Sequence, residues 1–125
     1  MASGTSPKPL VWVGSSKKDL EALPRSVISL FGYALYVAQT GGRHEQTKVL
    51  RGFGDAGVLE VIESTNRSTY RAVYTVRFTD AVYVLHAFQK KSKSGVATPK
   101  SDLDRIEERL KQAAAWSRKQ TRGAT

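Results

Sequence analysis

The sequence predicts an α+β domain in which an N-terminal strand and a helical hairpin pack on a mixed, mainly antiparallel sheet, followed by a C-terminal helix. Two patterns carry that expectation. From Val58 to Phe88 the segments VLEVIE, TYRAVYTVRF and AVYVLHAF are apolar, β-branched and aromatic, and the short turn-forming stretches STNRS and Thr79-Asp80 separate them. Strands joined by hairpins are the economical reading. Within the middle segment Tyr70, Ala72, Tyr74, Val76 and Phe78 alternate with Arg71, Val73, Thr75, Arg77 and Thr79, the period of a strand with one buried face. That alternation puts Arg71 and Arg77 together on the other, more polar face. Before the strands, Val27, Phe31, Ala34, Leu35 and Ala38 recur at spacings of three and four, as on a helix with one face on a core.

The remaining elements follow in order. Residues 1–9 contain Pro7 and Pro9 and are expected to form a flexible tail, and Leu10 to Val13 is a short apolar run suited to a first strand, ended by Gly14-Ser15. Ser16 with Asp19 resembles a capping box and predicts a short helix to about Leu23. Pro24 interrupts it, and the second helix runs from Arg25 to Gln39, stopped by Gly41-Gly42. The stretch HEQTKVLRGFGDAG is read as a loop. Its glycines suggest a phosphate cradle only weakly, because no glycine-lysine-serine ending follows and the loop leads into a strand rather than a helix. In the last segment Thr98 is placed as an N-cap with Pro99 at the first helical position, and Leu103, Ile106, Leu110 and Ala113 or Ala114 form an apolar stripe. Acidic residues early in this helix and basic residues late suit its dipole. The domain is bounded at residues 10–116, and residues 117–125, with Arg118, Lys119 and Arg122, are assigned to a basic tail.

Composition narrows the function. A chain of 125 residues is one domain by size, and without cysteine it has no disulfide framework and no thiolate metal site. No apolar run reaches the roughly 20 residues of a membrane span, and MASGTSPKP lacks a signal-peptide core, so a cytoplasmic protein is expected. The 20 Lys and Arg against 11 Asp and Glu give +9, which favours a polyanionic partner such as nucleic acid or a ribosome.

The order LVWV, helical hairpin, KVLRGFGDAGVLEV, STYRAVYTV, VYVLHAFQKKSKSGVATP and a final helix resembles the RelE/HigB superfamily of toxins of type II toxin-antitoxin systems, in its phage-derived HigB-like branch. The resemblance spans about Leu10 to Ala114. Its most specific parts are Lys48-x-Leu50-x-Gly52, Gly57-x-x-Glu60, Tyr70-Arg71-x-x-Tyr74 and Leu85-x-x-Phe88-x-Lys90-Lys91-x-x-Lys93. What it implies is a RelE-like fold and a ribosome-dependent messenger-RNA endonuclease that needs no metal or other cofactor. Its partners would be the ribosome, messenger RNA and a cognate antitoxin, often of helix-turn-helix type. In such enzymes the 2′-hydroxyl attacks the adjacent phosphate, leaving a cyclic phosphate and a 5′-hydroxyl, which calls for a proton acceptor, cations at the phosphoryl group and a proton donor.

Carried onto this sequence, the resemblance makes Arg71 the first catalytic candidate, since a planar guanidinium suits phosphate oxygens. Lys90 and Lys91 match the basic cluster that ends the last strand, and point to opposite sides if the strand continues that far. Glu60 and His86 are acid-base candidates by residue type. For Glu60, on a face with Val58 and Ile62, an ion pair with Arg71 or Lys48 is the favoured reading. His86 is expected on a face with Val84 and Phe88, where a hydrogen-bonded core histidine competes with a catalyst. Lys48, Arg51, Arg77 and Lys93 are assigned to RNA contact. Tyr70 and Tyr74 are placed in the core. The basic, tyrosine-bearing tail of better-known RelE proteins is missing here, which leaves the proton donor open. A non-catalytic basic module that binds nucleic acid or a protein partner is the alternative.

Overall fold

The computed structural model describes residues 6–55, 57–65, 68–90 and 98–123. Strand β1 (Leu10–Trp12) leads to helices α1 (Ser16–Glu21) and α2 (Arg25–Gln39), then to β2 (Thr47–Val49), β3 (Val58–Ser64), β4 (Thr69–Thr75), β5 (Val82–Lys90) and helix α3 (Lys100–Gly123). The strands form one five-stranded sheet in the order β1-β5-β4-β3-β2. β1 runs parallel to β5, with Leu10 opposite Val82, and the other neighbours are antiparallel. This is the α+β arrangement expected from the sequence, a mixed and mainly antiparallel sheet with a helical hairpin and a C-terminal helix.

The alternation of side chains along the strands gives the sheet two different coats. Leu59, Val61, Tyr70, Ala72, Tyr74, Val82 and Val84 pack beneath Leu20 of α1 and Val27, Phe31, Ala34, Leu35 and Ala38 of α2. These five α2 side chains are the ones its periodicity selects, and all are buried. The opposite face presents Val58, Val73, Tyr83 and Leu85 to Ile106, Leu110 and Ala113 of α3. Gly14, which leads out of β1, has φ +58, and a Cβ there would lie 2.7 Å from Arg109 Nε, so both backbone angle and packing demand glycine.

Several elements differ from expectation, each for a local reason. The cap of α1 is Ser15, one residue earlier than predicted: its hydroxyl donates to the Asp19 carboxylate at 2.7 Å, while Ser16 is buried and donates to the Val84 carbonyl at 3.1 Å. β4 stops at Thr75 instead of continuing to Phe78. The Thr75 hydroxyl donates to the Gly57 carbonyl at 2.7 Å and accepts from the Arg77 N–H at 3.1 Å, which turns the chain off the ladder. The loop after α2 contains β2, too short at three residues to show a period. In β5 the register shifts: His86 pairs with Val73 but Val84 pairs with Tyr74, leaving Leu85 as an extra residue. The bulge puts His86 on the α3 side, not with Val84.

The ends differ too. The Lys8 N–H donates to the Gln39 carbonyl at 2.9 Å and Gln39 Nε2 donates to the Lys8 carbonyl at 2.6 Å, so this part of the predicted tail is docked. α3 continues to Gly123 through residues assigned to a basic tail. Ser117, buried there, donates to Asp80 Oδ1 at 2.6 Å and holds the helix to the turn before β5. Pro99 is not the first helical residue; its carbonyl accepts from the Leu103 N–H at 3.0 Å, and α3 starts at Lys100.

Phe31 is 0% exposed at the centre of the α2 layer. Phe31→Ala is expected to cost about 3–5 kcal/mol, measured as a lower urea midpoint with an unchanged slope.

Candidate functional site

The α3 side of the sheet is apolar toward β5 and β1 but carries charge toward β2. Glu60 stands opposite Lys48 of β2, Arg71 stands opposite Ile62, and Lys90 stands opposite Thr69. Period two then places Lys48, Glu60, Arg71 and Lys90 on one face. Glu60 is 0% and Arg71 4% exposed, and Arg71 Nη1 donates to Glu60 Oε2 at 2.9 Å. The Thr98 hydroxyl, just before α3, donates to the same Oε2 at 3.2 Å and lies 3.4 Å from Arg71 Nη1. Thr98 thus uses its hydroxyl to tie the start of α3 to the ion pair, where the sequence suggested a helix cap.

Lys90, the last residue of β5, is also buried. Loss of water holds its ammonium below the ordinary lysine pKa; repulsion from Arg71 and Lys48 acts the same way, and Glu60 opposes it. Above the ion pair opens a cleft of about 750 Å³ lined by Lys48, Val49, Leu50, Arg51, Glu60, Arg71, Thr98 and Leu103. Its floor is polar, its sides include Leu50 and Leu103, and Lys48 and the exposed Arg51 come from the β2 side.

Residues 18–111 match the family described as Phage derived protein Gp49-like (DUF891). The chain belongs to this family. The match covers most of the span that carries the sequence resemblance and falls in the phage-derived branch it names. Among solved structures, the chain is similar to one from the toxin-antitoxin complex RelBE2 of Mycobacterium tuberculosis, at 18% identity and a TM-score of 0.49, over 70% of this chain and 97% of that one. A search of curated proteins gives no match.

The other candidate residues of this Gp49-like protein are not all at the cleft. Arg77 does not share a strand face with Arg71: it lies beyond β4 and donates to the Phe53 carbonyl at 2.6 Å and to Asp55 Oδ1 at 3.0 Å, bracing the glycine loop. The Gly57 N–H and then Arg77 hold the Asp55 carboxyl below its ordinary pKa. His86 is 3% exposed, stacks on Phe88 with centroids 4.8 Å apart, and joins Asp102 of α3 through Nε2 at 2.7 Å. It fastens the first turn of α3 and does not line the cleft. Lys91 and Lys93 lie outside the described residues. Tyr70 and Tyr74 are buried on the α2 side, as expected.

Sequence reasoning missed Thr98, Asp102 and Leu103 as parts of this region. Thr98-Pro99 carries the mark of a helix start, and an acidic residue in a first turn is ordinary, so neither pattern signals its distant partner. Among the described residues, no group of three or more His, Cys, Asp or Glu could hold a metal ion.

Two outcomes follow. Arg71→Ala leaves the Glu60 charge buried without its guanidinium and should cost about 3–5 kcal/mol in urea unfolding, while Glu60→Leu with Arg71→Met should cost far less. Burial lowers the pKa of His86 from 6.5, against the pull of Asp102. The unfolded chain therefore binds this proton at a higher pH than the folded chain, and its contribution to stability is lost as pH falls from 6.5 toward the folded pKa. The slope from this one group is at most about 1.4 kcal/mol per pH unit. Melting curves of wild type should show the decline, and His86→Gln should flatten it.

Proposed function

We propose that this chain is the toxin of a type II toxin-antitoxin system and acts as a ribosome-dependent, metal-independent endonuclease on messenger RNA. The observation that carries the reading is the cleft itself, where Lys48, Arg51 and Arg71 meet Glu60, with Lys90 on the same sheet face beside the ion pair. Membership of a phage-derived family and the RelE/HigB resemblance of its motifs support this reaction class. Cleavage by the 2′-hydroxyl concentrates negative charge on a five-coordinate phosphate, and preorganised cations in a partly buried site stabilise that charge more than water does. Arg71, held in one orientation by Glu60 and Thr98, and Lys48 and Arg51 are the phosphate contacts.

Lys90 is the proposed proton carrier. A lysine held below its ordinary pKa by loss of water gives up its proton more readily than an ordinary one. Glu60 then acts as the partner that fixes Arg71, and His86 as a brace for α3. The antitoxin, of helix-turn-helix type, and the translating ribosome are the proposed partners, which places the protein in the cytoplasm. Among the described residues no helix is long and apolar enough to cross a membrane.

The Glu60–Arg71 pair also favours a second reading, because a guanidinium already engaged by a carboxylate suits a basic cleft that binds RNA without cutting it. Primer extension on a messenger RNA translated in a purified system separates the two. New 5′ ends that require ribosomes are expected with wild type and should fall about 100-fold or more with Lys90→Gln, the range lost with a general acid-base group. Binding without new ends would select the second reading. Lys48→Ala, on the cleft rim, should weaken cleavage with an unchanged melting temperature.

A further inference from the structure

We infer that the cleft above the Glu60–Arg71 pair is a subsite for a single nucleobase, and that it selects guanine. The inference rests on the proposed RNA substrate and adds which base the site reads. Oε2 of Glu60 accepts from Arg71 and Thr98, which fixes the plane of the carboxylate. Oε1 is buried and has no hydrogen-bond partner among the described residues, although Glu60 is 0% exposed and lines the cleft. A buried oxygen of this kind is costly to leave unmatched and gains most from a ligand that donates to it. The charged neighbours Arg71, Lys90 and Lys48 offset its negative charge, so the acceptor remains in place without a bound donor.

The surroundings suit a flat ring. Leu50 and Leu103 line the cleft above the polar floor, while Lys48 and Arg51 are placed to take a phosphate. An apolar wall with a polar edge and a cationic rim is the division of labour that single-stranded RNA recognition uses: ring faces pack, base edges hydrogen-bond, and the backbone meets cations.

The donor count then chooses the base. One carboxylate oxygen offers two lone-pair sites. Guanine alone places two donors side by side on its Watson–Crick edge, the ring N1–H and the exocyclic amino group, and its O6 next to them suits Arg71 or Lys90. Adenine and cytosine set a ring nitrogen lone pair beside their single amino group, which the carboxylate repels. Uracil flanks its one N–H with two carbonyl oxygens, and the same repulsion applies.

The test uses the full chain without ribosomes and 2′-deoxy trinucleotides that cannot be cut, with uracil on both sides of a central guanine, inosine, adenine, cytosine or uracil. Binding is followed by NMR or fluorescence titration. The guanine probe should bind about tenfold or more tightly than inosine, which lacks only the amino group, and more tightly than the other three, the discrimination expected of a paired base contact. Glu60→Gln, checked for an unchanged fold by its melting curve, should remove the difference between guanine and inosine. Equal binding of guanine and inosine, or no binding of any probe at millimolar concentration, overturns the inference; the wild-type comparison decides this even if the variant does not fold. Cleavage by translating ribosomes without guanine preference would leave the nuclease reading standing and remove this one. Guanine-selective binding with no cleavage would do the reverse.

Discussion

Glu60 and Arg71 face each other diagonally across β3 and β4, both withdrawn from water, on the α3 side of the sheet. Desolvating either charge alone costs several kcal/mol, so each can occupy the sheet only because the other does. Thr98 joins the pair from the first residues before α3, which means that the same carboxylate also holds one wall of the cleft in place. Lys90 adds to the dependence: loss of water lowers its proton affinity first, repulsion from Arg71 lowers it further, and Glu60 opposes both. A change in the pair would therefore be felt at the floor, at the wall and at the Lys90 ammonium together.

The sheet makes this possible by treating its two faces differently. The α1 and α2 side is continuous apolar packing and bears the hydrophobic stabilisation of the domain. The α3 side has a thinner apolar stripe, and polar contacts secure the helix along its length. His86 holds Asp102 in the first turn, Arg109 donates to the Leu85 carbonyl at 2.9 Å and to the Ser15 hydroxyl at 2.8 Å in the middle, and Ser117 reaches Asp80 near the end. The bulge at Leu85 serves this arrangement, because without it His86 would face α2 and Asp102 would lack its partner. Directional contacts of this kind fix the position of α3 along the strands more closely than apolar contact alone, and the width of the cleft is set by that position.

Much of the fold was legible because period and burial coincide. The buried set of α2 and the alternation of Tyr70, Ala72 and Tyr74 follow directly from side-chain spacing in one element. The ion pair of Glu60 was foreseen from a carboxylate on an apolar strand face, with Arg71 and Lys48 both open as partners; the diagonal β3–β4 register decides for Arg71. What spacing could not supply depends on pairing between elements. The three residues of β2 become a strand only because β3 offers an edge, and the strand period fails at the bulge and at Thr75 because side-chain and ladder bonds compete there. Arg77 looked equivalent to Arg71 by parity alone, and a loop carboxylate and carbonyl took it.

The basic surplus of +9 is thus a poor measure of the charge left for a polyanionic partner. Arg77 and Arg109 spend their guanidinium groups on carbonyls, hydroxyls and carboxylates of the fold, and the positive charge of Arg71 is balanced by Glu60. In the proposed complex the work falls to a smaller set, with Arg71 at the floor, Lys48 and Arg51 on the rim and Lys90 beside the floor. That distribution has a physical consequence. A floor whose charge is internally balanced attracts phosphate weakly, whereas the rim attracts it without regard to sequence, so the backbone is drawn to the edge and the base is left to enter. Affinity and selectivity then reside in different residues, and salt should weaken the first much more than the second.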